Sequence, residues 1–380
     1  MRGLSHGDVV PTMVPAHRID STDPYDGLSK RFDNHEGESA MVTIKDVAAA
    51  AGVAPSTVSY VLSGSRSVSE RTRTAVRTAV EELGYHPNAG ARSLRSARTR
   101  VIALALPLAS PGYLPVGGRF MYGLSRAAGD LGYDLLLLTV RDDDAGAYGL
   151  ERAARSRLAD VAVIMGVEME DPRIGAMDAL GFPVVVLGRP SDEDAAPWAD
   201  LDWEEAAAAS LRLLHGAGHR DLCFVSTVEE DIASGRSYSV RGLRGAERAA
   251  AELGVPVRVL PSAKDPAELY RRLDALLDGA HPPTALAVQH PAAVPGVMSH
   301  LAARGADVPG DVSLVAIGSF PEDLGGLDVT RIELPVERMS AAVTRLAAEA
   351  ARGSPALPGG RRALIPPEIT LGGTVAAPPA

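Results

Sequence analysis

From Val101 onward the sequence alternates short apolar runs with longer stretches of helical period, and that alternation limits the fold more than any other feature. The runs at 101–106, 134–139, 161–165, 184–187, 222–226, 257–260, 285–288 and 313–317 are dense in Val, Leu, Ile and Ala. Such continuous apolar runs read as strands buried on both faces, the signature of a parallel sheet covered by helices. Between them, segments such as 204–215, 241–253 and 267–277 repeat apolar residues at helical spacing. The alternation therefore predicts parallel sheets with helices on both sides. About 280 residues of it exceed one compact core, which predicts two such subdomains with a cleft between them. Ligands in sheets of this kind bind beyond the carboxyl ends of the strands.

Ahead of Val101 the texture is different. Residues 1–40 are polar and without period, and read as a disordered extension. Met41 stands directly before the first patterned segment, and Glu36-Gly37-Glu38 can be encoded by a purine-rich stretch resembling a ribosome-binding site, which raises the alternative that translation starts at Met41. Next, 44–51 is a short apolar-periodic helix stopped by Gly52. Pro55 suits the first position of a second helix running through Val58, Val61 and Leu62 to Ser63. Ser69 is the N-cap of a third, with Val76, Ala79, Val80 and Leu83 on one face and Gly84 at its end.

Charge separates the two regions. The chain carries −10 overall, yet residues 41–100 hold nine Lys or Arg against four acids, a net +5 that leaves −15 for the remainder. A small basic module on an acidic body is the electrostatic footprint of a nucleic-acid reader joined to something else. The segment TIKDVAAAAGVAPSTVSYVLSG, 43–64, has the parts a helix-turn-helix requires. Ala48 and Ala51 permit close crossing, Gly52 makes the turn, and Val47, Val53, Val58 and Leu62 form the core. Ser56, Thr57, Ser59 and Tyr60 are left to meet the major groove.

This block, continued by VSERTRTAVRTAVEELGYHPNAGARSLR at 68–95, resembles the lactose/galactose repressor family almost residue by residue. The resemblance implies phosphate contacts from Thr43, Thr57, Ser59, Ser63 and Ser69, which position without reading sequence. It implies base-edge contacts from Pro55, Ser56 and Tyr60. Tyr60 stands where an Arg often meets guanine, so bidentate readout is lost there. Ala54 replaces a capping Ser. Residues 87–94 resemble the family's hinge helix, with Asn88, Ala91 and Arg92 against DNA and Leu94 wedged into the minor groove. Gly90 costs roughly 1 kcal/mol of helix stability relative to Ala, which predicts a hinge that orders only on DNA.

The body also resembles the family, in Gly218-His219-Arg220, in 308–313, in 171–190 and in the closing 366–374. The resemblance implies a fold of an N-terminal all-α helix-turn-helix module with hinge helix (41–98), then an α/β periplasmic-binding-protein-like body (99–380) of two parallel-sheet subdomains. One subdomain would take 101–201 and 334–362, the other 202–333 and 363–374, with chain crossings near Asp202, Glu333 and Ala363. The tail past Thr374 reads as frayed. Implied partners are a pseudo-palindromic double-stranded DNA operator, a second copy in a homodimer, and a small-molecule effector, a sugar or related metabolite, in the cleft. The candidate lining is Tyr113, Arg189, Asp202, Trp203, Tyr238, Ser239, His290, Ser319 and Phe320. Sugar-binding members carry an Arg three residues before Gly242, an Asn-Asp pair before Gly296 and an Asp after Ile317. Here Ser239, His290-Pro291 and Gly318-Ser319 occupy those places. Either the effector is less polyhydroxylic than a hexose, or the cleft has lost its ligand and the repressor is constitutive or controlled by another protein.

Other chemistry finds little support. His215 and His219 are four apart, but Gly216 and Gly218 break the helix that a metal pair needs. No glycine-rich segment continues into the Lys-Ser/Thr of a phosphate loop. No nucleophile–base set stands at a defensible spacing, so neither catalysis nor a cofactor is expected. Cys223 lies within an apolar run, as a buried thiol does. A single cysteine and the lack of an apolar span or export signal point to a cytoplasmic protein away from membranes. A solute-binding protein would share the body but needs export and no DNA module.

Overall fold

The computed structural model describes residues 42–63, 66–85, 98–107, 114–140, 147–289, 291–353 and 361–379. Residues 1–41, the hinge with Asn88, Ala91, Arg92 and Leu94, and both Tyr113 and His290 lie outside the described residues. The chain separates into two compact units that divide after Asn88.

Among the described residues the first unit holds three helices, α1 (Ile44–Ala51), α2 (Pro55–Ser63) and α3 (Glu70–Leu83). Asp46 accepts the Thr43 amide at 2.8 Å and the Thr43 hydroxyl at 2.7 Å, closing the start of α1. Gly52 takes the left-handed conformation, φ +64°, and the turn lets the Val53 amide reach the Ala48 carbonyl at 3.0 Å. Val47, Ala48, Val58, Val76, Ala79 and Tyr85 are the buried core. Leu62, expected among them, is instead 39% exposed, and Val61 packs inward. The helix ends one residue past Leu62, so no further turn covers it.

The second unit has two six-stranded sheets. The first is built from β1 (Val101–Pro107), β2 (Asp134–Val140), β3 (Val161–Met165), β4 (Val184–Leu187), β5 (Trp198–Leu201) and β11 (Arg362–Ile365), in the order β11-β5-β4-β3-β1-β2, all parallel. The helices α4 (Leu114–Asp130), α5 (Ala147–Arg155) and α6 (Pro172–Ala179) connect its strands. The second holds β6 (Leu222–Val228), β7 (Val257–Ser262), β8 (Ala285–Val288), β9 (Ser313–Ser319), β10 (Arg331–Glu333) and β12 (Ile369–Thr370), ordered β12-β10-β9-β8-β6-β7 with only β12 antiparallel. It carries α7 (Trp203–Gly216), α8 (Glu229–Ala233), α9 (Ser237–Leu253), α10 (Pro266–Leu277) and α11 (Val294–Ala303), while α12 (Val336–Ala351) packs back on the first sheet.

Burial on both faces explains the unbroken apolar runs. In β1, Ile102, Leu104 and Leu106 enter one apolar cluster while Ala103 and Ala105 enter another. β6 divides likewise, Leu222 and Phe224 against Cys223 and Val225. The short strands β5, β10, β11 and β12 lack a run long enough to be read from sequence.

The chain passes between the sheets after Leu201 and after Glu333. The third passage falls later than Ala363, because all of β11 pairs with β5 up to Ile365↔Leu201. Pro366-Pro367 follow, and proline has no amide with which to extend the ladder.

The tail does not fray after Thr374. The Thr374 hydroxyl donates to the Leu314 carbonyl at 2.7 Å and accepts from the Thr330 amide at 3.0 Å. Ala376 donates to Ser313 Oγ at 3.0 Å, and its carbonyl lies 3.0 Å from His219 Nε2. His219 is fully buried, with Nδ1 2.8 Å from Thr284 Oγ1, and burial depresses its pKa. Pro378 packs over Gly218, whose φ of +113° and lack of Cβ leave room for the ring. The Gly-His-Arg landmark thus clasps the tail. Among the described residues no His, Cys, Asp and Glu form a metal-holding group, and no helix is long and apolar enough to cross a membrane. A chain ending at Thr374 is expected to lose about 2 kcal/mol of stability in urea unfolding followed by circular dichroism. Leu371→Ala, at a position 72% exposed, should leave the midpoint unchanged.

Candidate functional site

In the helical unit, Ser56, Ser59 and Tyr60 are spaced i, i+3 and i+4 along α2, so they share one face. Val58, fully buried, points to the other. Pro55 and Ser56 are exposed, and Thr57, Ser59 and Tyr60 are partly covered. Ser63 is the last residue of α2. The Arg66 guanidinium sits 5.1 Å from the centre of the Tyr60 ring. The sequence marks Arg66 only as charge, since no local pattern records its contact with Tyr60. Ser69 caps α3, accepting from the Thr72 amide at 3.2 Å. Thr43 is exposed, but its hydroxyl proton already goes to Asp46, and that bond holds the Asp46 carboxyl below its ordinary range. Placing Thr43 against a phosphate would require that bond to open.

In the larger unit, a cavity of about 310 Å³ lies between the two sheets. Met165, Leu187 and Asp200 come to it from β3, β4 and β5, and Thr227 and Gly318 from β6 and β9. Gln289, just past β8, completes this rim at the carboxyl ends of both sheets. Val116 and Phe120 of α4 and Leu334 and Met339 add apolar wall. Two expected residues line it, Trp203 and Tyr238, with ring centres 5.9 Å apart.

The other expected residues that are described sit elsewhere. Arg189 pairs with Glu193 at 2.7 Å and lies over Trp198. Asp202 caps α7, accepting from the Glu205 amide at 3.0 Å. Ser239 is buried and accepts from the Thr227 hydroxyl at 2.7 Å. Ser319 is fully buried outside the cavity lining, its hydroxyl without a hydrogen-bond partner among the described residues. Phe320 belongs to a neighbouring hollow, beneath the Arg119 guanidinium at 4.0 Å. Asp200, Thr227, Ser237 and Gln289 were missed. An Asp inside the buried strand Trp198–Leu201 was the available signal, since a carboxylate there needs a reason.

Asp200 is 3% exposed. Its Oδ1 accepts from Trp203 Nε1 at 3.0 Å, while Oδ2 has no partner among the described residues. Burial pushes its pKa up to about 7, opposed by the Trp203 bond and by Arg241, the Leu201 amide and Arg189. Gln289 Nε2 donates to the Tyr238 carbonyl at 2.8 Å. Its Oε1 lies where a Cβ on residue 242 would come within 1.9 Å, so any larger residue there would have to displace the Gln289 amide.

Bonds across one flank of the cleft join the subdomains. Ser237 donates its amide to the Val167 carbonyl at 2.8 Å, and Met169 donates to the Gly235 carbonyl at 2.7 Å. Arg236 reaches the Gly166 carbonyl. Buried Arg241 donates to the Arg189 and Pro190 carbonyls, both at 3.1 Å, and pairs with Glu204 at 2.7 Å. On another flank Arg119 pairs with Glu322 at 3.1 Å.

Residues 43–88 match the family model for bacterial regulatory proteins of the lacI family, and 211–375 match that for the periplasmic binding protein-like domain. The regulator PtxS of Pseudomonas plecoglossicida is 31% identical over 82% of this chain and 90% of its own. The chain belongs to the LacI family. The regulator MalR of Streptococcus pneumoniae is 33% identical over 48% of this chain, a stretch that spans only 56% of MalR. The Lac repressor dimer bound to operator and the anti-inducer ONPF has the same fold, with a TM-score of 0.72, 20% identity and coverage of 88% of this chain and 99% of its own. In this LacI-family body the unusual group is Asp200. Its pKa rises from 3.8 to about 7 on folding, so its contribution to stability is complete below pH 3.8 and is lost as pH climbs through 7. The charges around it are Arg241, with its partner Glu204, and Arg189. Asp200→Asn removes that loss. The variant should match wild type near pH 4 and exceed it above pH 7 by roughly 2–4 kcal/mol, measured by calorimetry across that range.

Proposed function

We propose that this LacI-family chain is a sequence-specific transcriptional repressor that binds a pseudo-palindromic operator as a homodimer and responds to a small molecule in the inter-subdomain cleft. The observation that carries this reading is the α2 face of Ser56, Ser59 and Tyr60, presented on a helix whose opposite side is locked into the core by Val58. A helix held that way can enter a major groove without deforming. The names of the full-length relatives, HTH-type transcriptional regulators and repressors, support it. Two readers on a two-fold dimer would match a palindrome. Hinge contacts from Asn88, Ala91, Arg92 and Leu94 belong to this proposal, with phosphate contacts from Thr43, Thr57, Ser59, Ser63 and Ser69.

Control by a small molecule requires that it bind one arrangement of the subdomains better than another. The cleft at the strand ends supplies the place, and the bonds from Ser237, Arg236 and Arg241 define one such arrangement. Those bonds form within the chain itself, which favours, as a second reading, a cleft that stays closed and a repressor that acts without effector.

Selection of bound sequences from random DNA should enrich a palindrome. Tyr60→Ala and Ser56→Ala should each weaken the selected duplex about tenfold. Arg66→Ala should weaken all duplexes alike and flatten the salt dependence by about one charge. Failure to enrich any sequence, or full affinity in Tyr60→Ala, overturns the reading.

A further inference from the structure

The cleft wall carries more information than its position. Its side-chain donors are already committed to the protein. The Thr227 hydroxyl donates to Ser239, and the Ser237 hydroxyl to the Arg189 carbonyl. The Tyr238 hydroxyl donates to Asp231 at 2.8 Å, Gln289 Nε2 to the Tyr238 carbonyl, and Trp203 Nε1 to Asp200. A sugar needs several partners for its ring of hydroxyls, each otherwise left unpaired at about 1–3 kcal/mol. Here each of these donors would first have to abandon an internal acceptor. Among the described residues no Lys or Arg lines the cavity, so none of them receives a carboxylate or phosphate there.

What remains is apolar surface and two side-chain acceptors without a partner among the described residues, Asp200 Oδ2 and Gln289 Oε1, the second lying against Gly242 of α9. Phe120, Met165, Val167, Leu187 and Met339 face the rings of Trp203 and Tyr238 across the cavity. Asp200 Oδ2 is the lining carboxylate oxygen without a partner, on a side chain 97% buried. We propose that the cleft takes a compact, largely apolar molecule, an aromatic alcohol or amine, whose single donor group bonds to Asp200 Oδ2. This ligand class rests on the reading of the cleft as the effector site, and departs from the sugar that the family resemblance implied. The aromatic walls supply the affinity and Asp200 supplies the orientation. Near neutral pH the Asp200 carboxyl is divided between charged and neutral forms, so a donor that bonds the carboxylate will draw it toward the charged form.

Isothermal titration and thermal shift on the full chain test this with 2-naphthol, indole, 2-methoxynaphthalene, glucose and cellobiose as probes. 2-Naphthol and indole should bind and raise the melting temperature, and the two sugars should not. Asp200→Asn keeps an acceptor for Trp203 but presents an amide donor where Oδ2 stood, so 2-naphthol should weaken about tenfold. 2-Methoxynaphthalene, with no donor to lose, should bind both forms equally. Ala292→Trp, at an exposed lining residue, should abolish binding without changing the unliganded melting temperature. Binding of glucose or cellobiose alone overturns the ligand class while leaving effector control intact. Binding of no probe overturns both, and leaves DNA recognition to be judged by the sequence selection described above. Equal affinity of 2-naphthol for Asp200→Asn and wild type overturns the role of Asp200.

Discussion

Desolvation at the seam between the two sheets is the constraint on which the body depends. The chain passes through that seam three times, and one apolar cluster continues across it from Leu104 to Phe224 and Ile317. Polar groups caught there must find partners in the protein, because water cannot supply them. Most do: Arg241 is held by two carbonyls and Glu204, Ser237 by Arg189, and Gln289 by Tyr238. Those partners lie on the opposite subdomain for Ser237 and for the Arg241 carbonyl bonds. The same bonds that satisfy buried polar groups therefore set how the subdomains stand to each other.

Asp200 is left half satisfied in that seam, as is Gln289, whose Oε1 has no partner among the described residues. A carboxylate in such a place is destabilising when charged, which is why its pKa rises while that of Asp171, clasped by Arg173 in a buried pair at 2.6 Å, falls. The contrast between these two buried aspartates lies in a facing guanidinium. Cys223, by comparison, is pushed up to about 12 by burial and is inert structure.

Much of the architecture was legible in the sequence. The inner strands β1, β3, β4, β6, β8 and β9 announce themselves because both faces are covered, and the edge strands β2 and β7 through their apolar residues, although Leu137 and Val259 are exposed. The helix-turn-helix was equally readable, since Gly52, Pro55 and Ser69 each satisfy a local requirement of turn or cap. Leu62, the third crossing and the tail were misplaced for a shared reason. Each depends on which distant segment covers it, and local period carries no record of that. The cleft was harder still. Trp203 and Tyr238 stood out as aromatics, but Arg189, Asp202 and Ser239 are polar residues spent on a pair, a cap and a buried bond, and Ser319 is buried away from the lining. Asp200 was passed over because its strand is only four residues long.

The late strands have a consequence for how the chain is made. The helical unit is complete once Tyr85 has emerged from the ribosome, and its core draws on nothing beyond. Neither sheet reaches that state until the final stretch is synthesised, since β11 closes the edge beside β5 and the tail from Thr374 to Pro378 seals His219, Ser313 and Gly218. During translation a finished DNA-reading module is therefore tethered to a body whose two sheets are both open at an edge. A ribosome that stalls before residue 362 releases a chain able to fold its reader, but holding two exposed strands ready to pair with a neighbour.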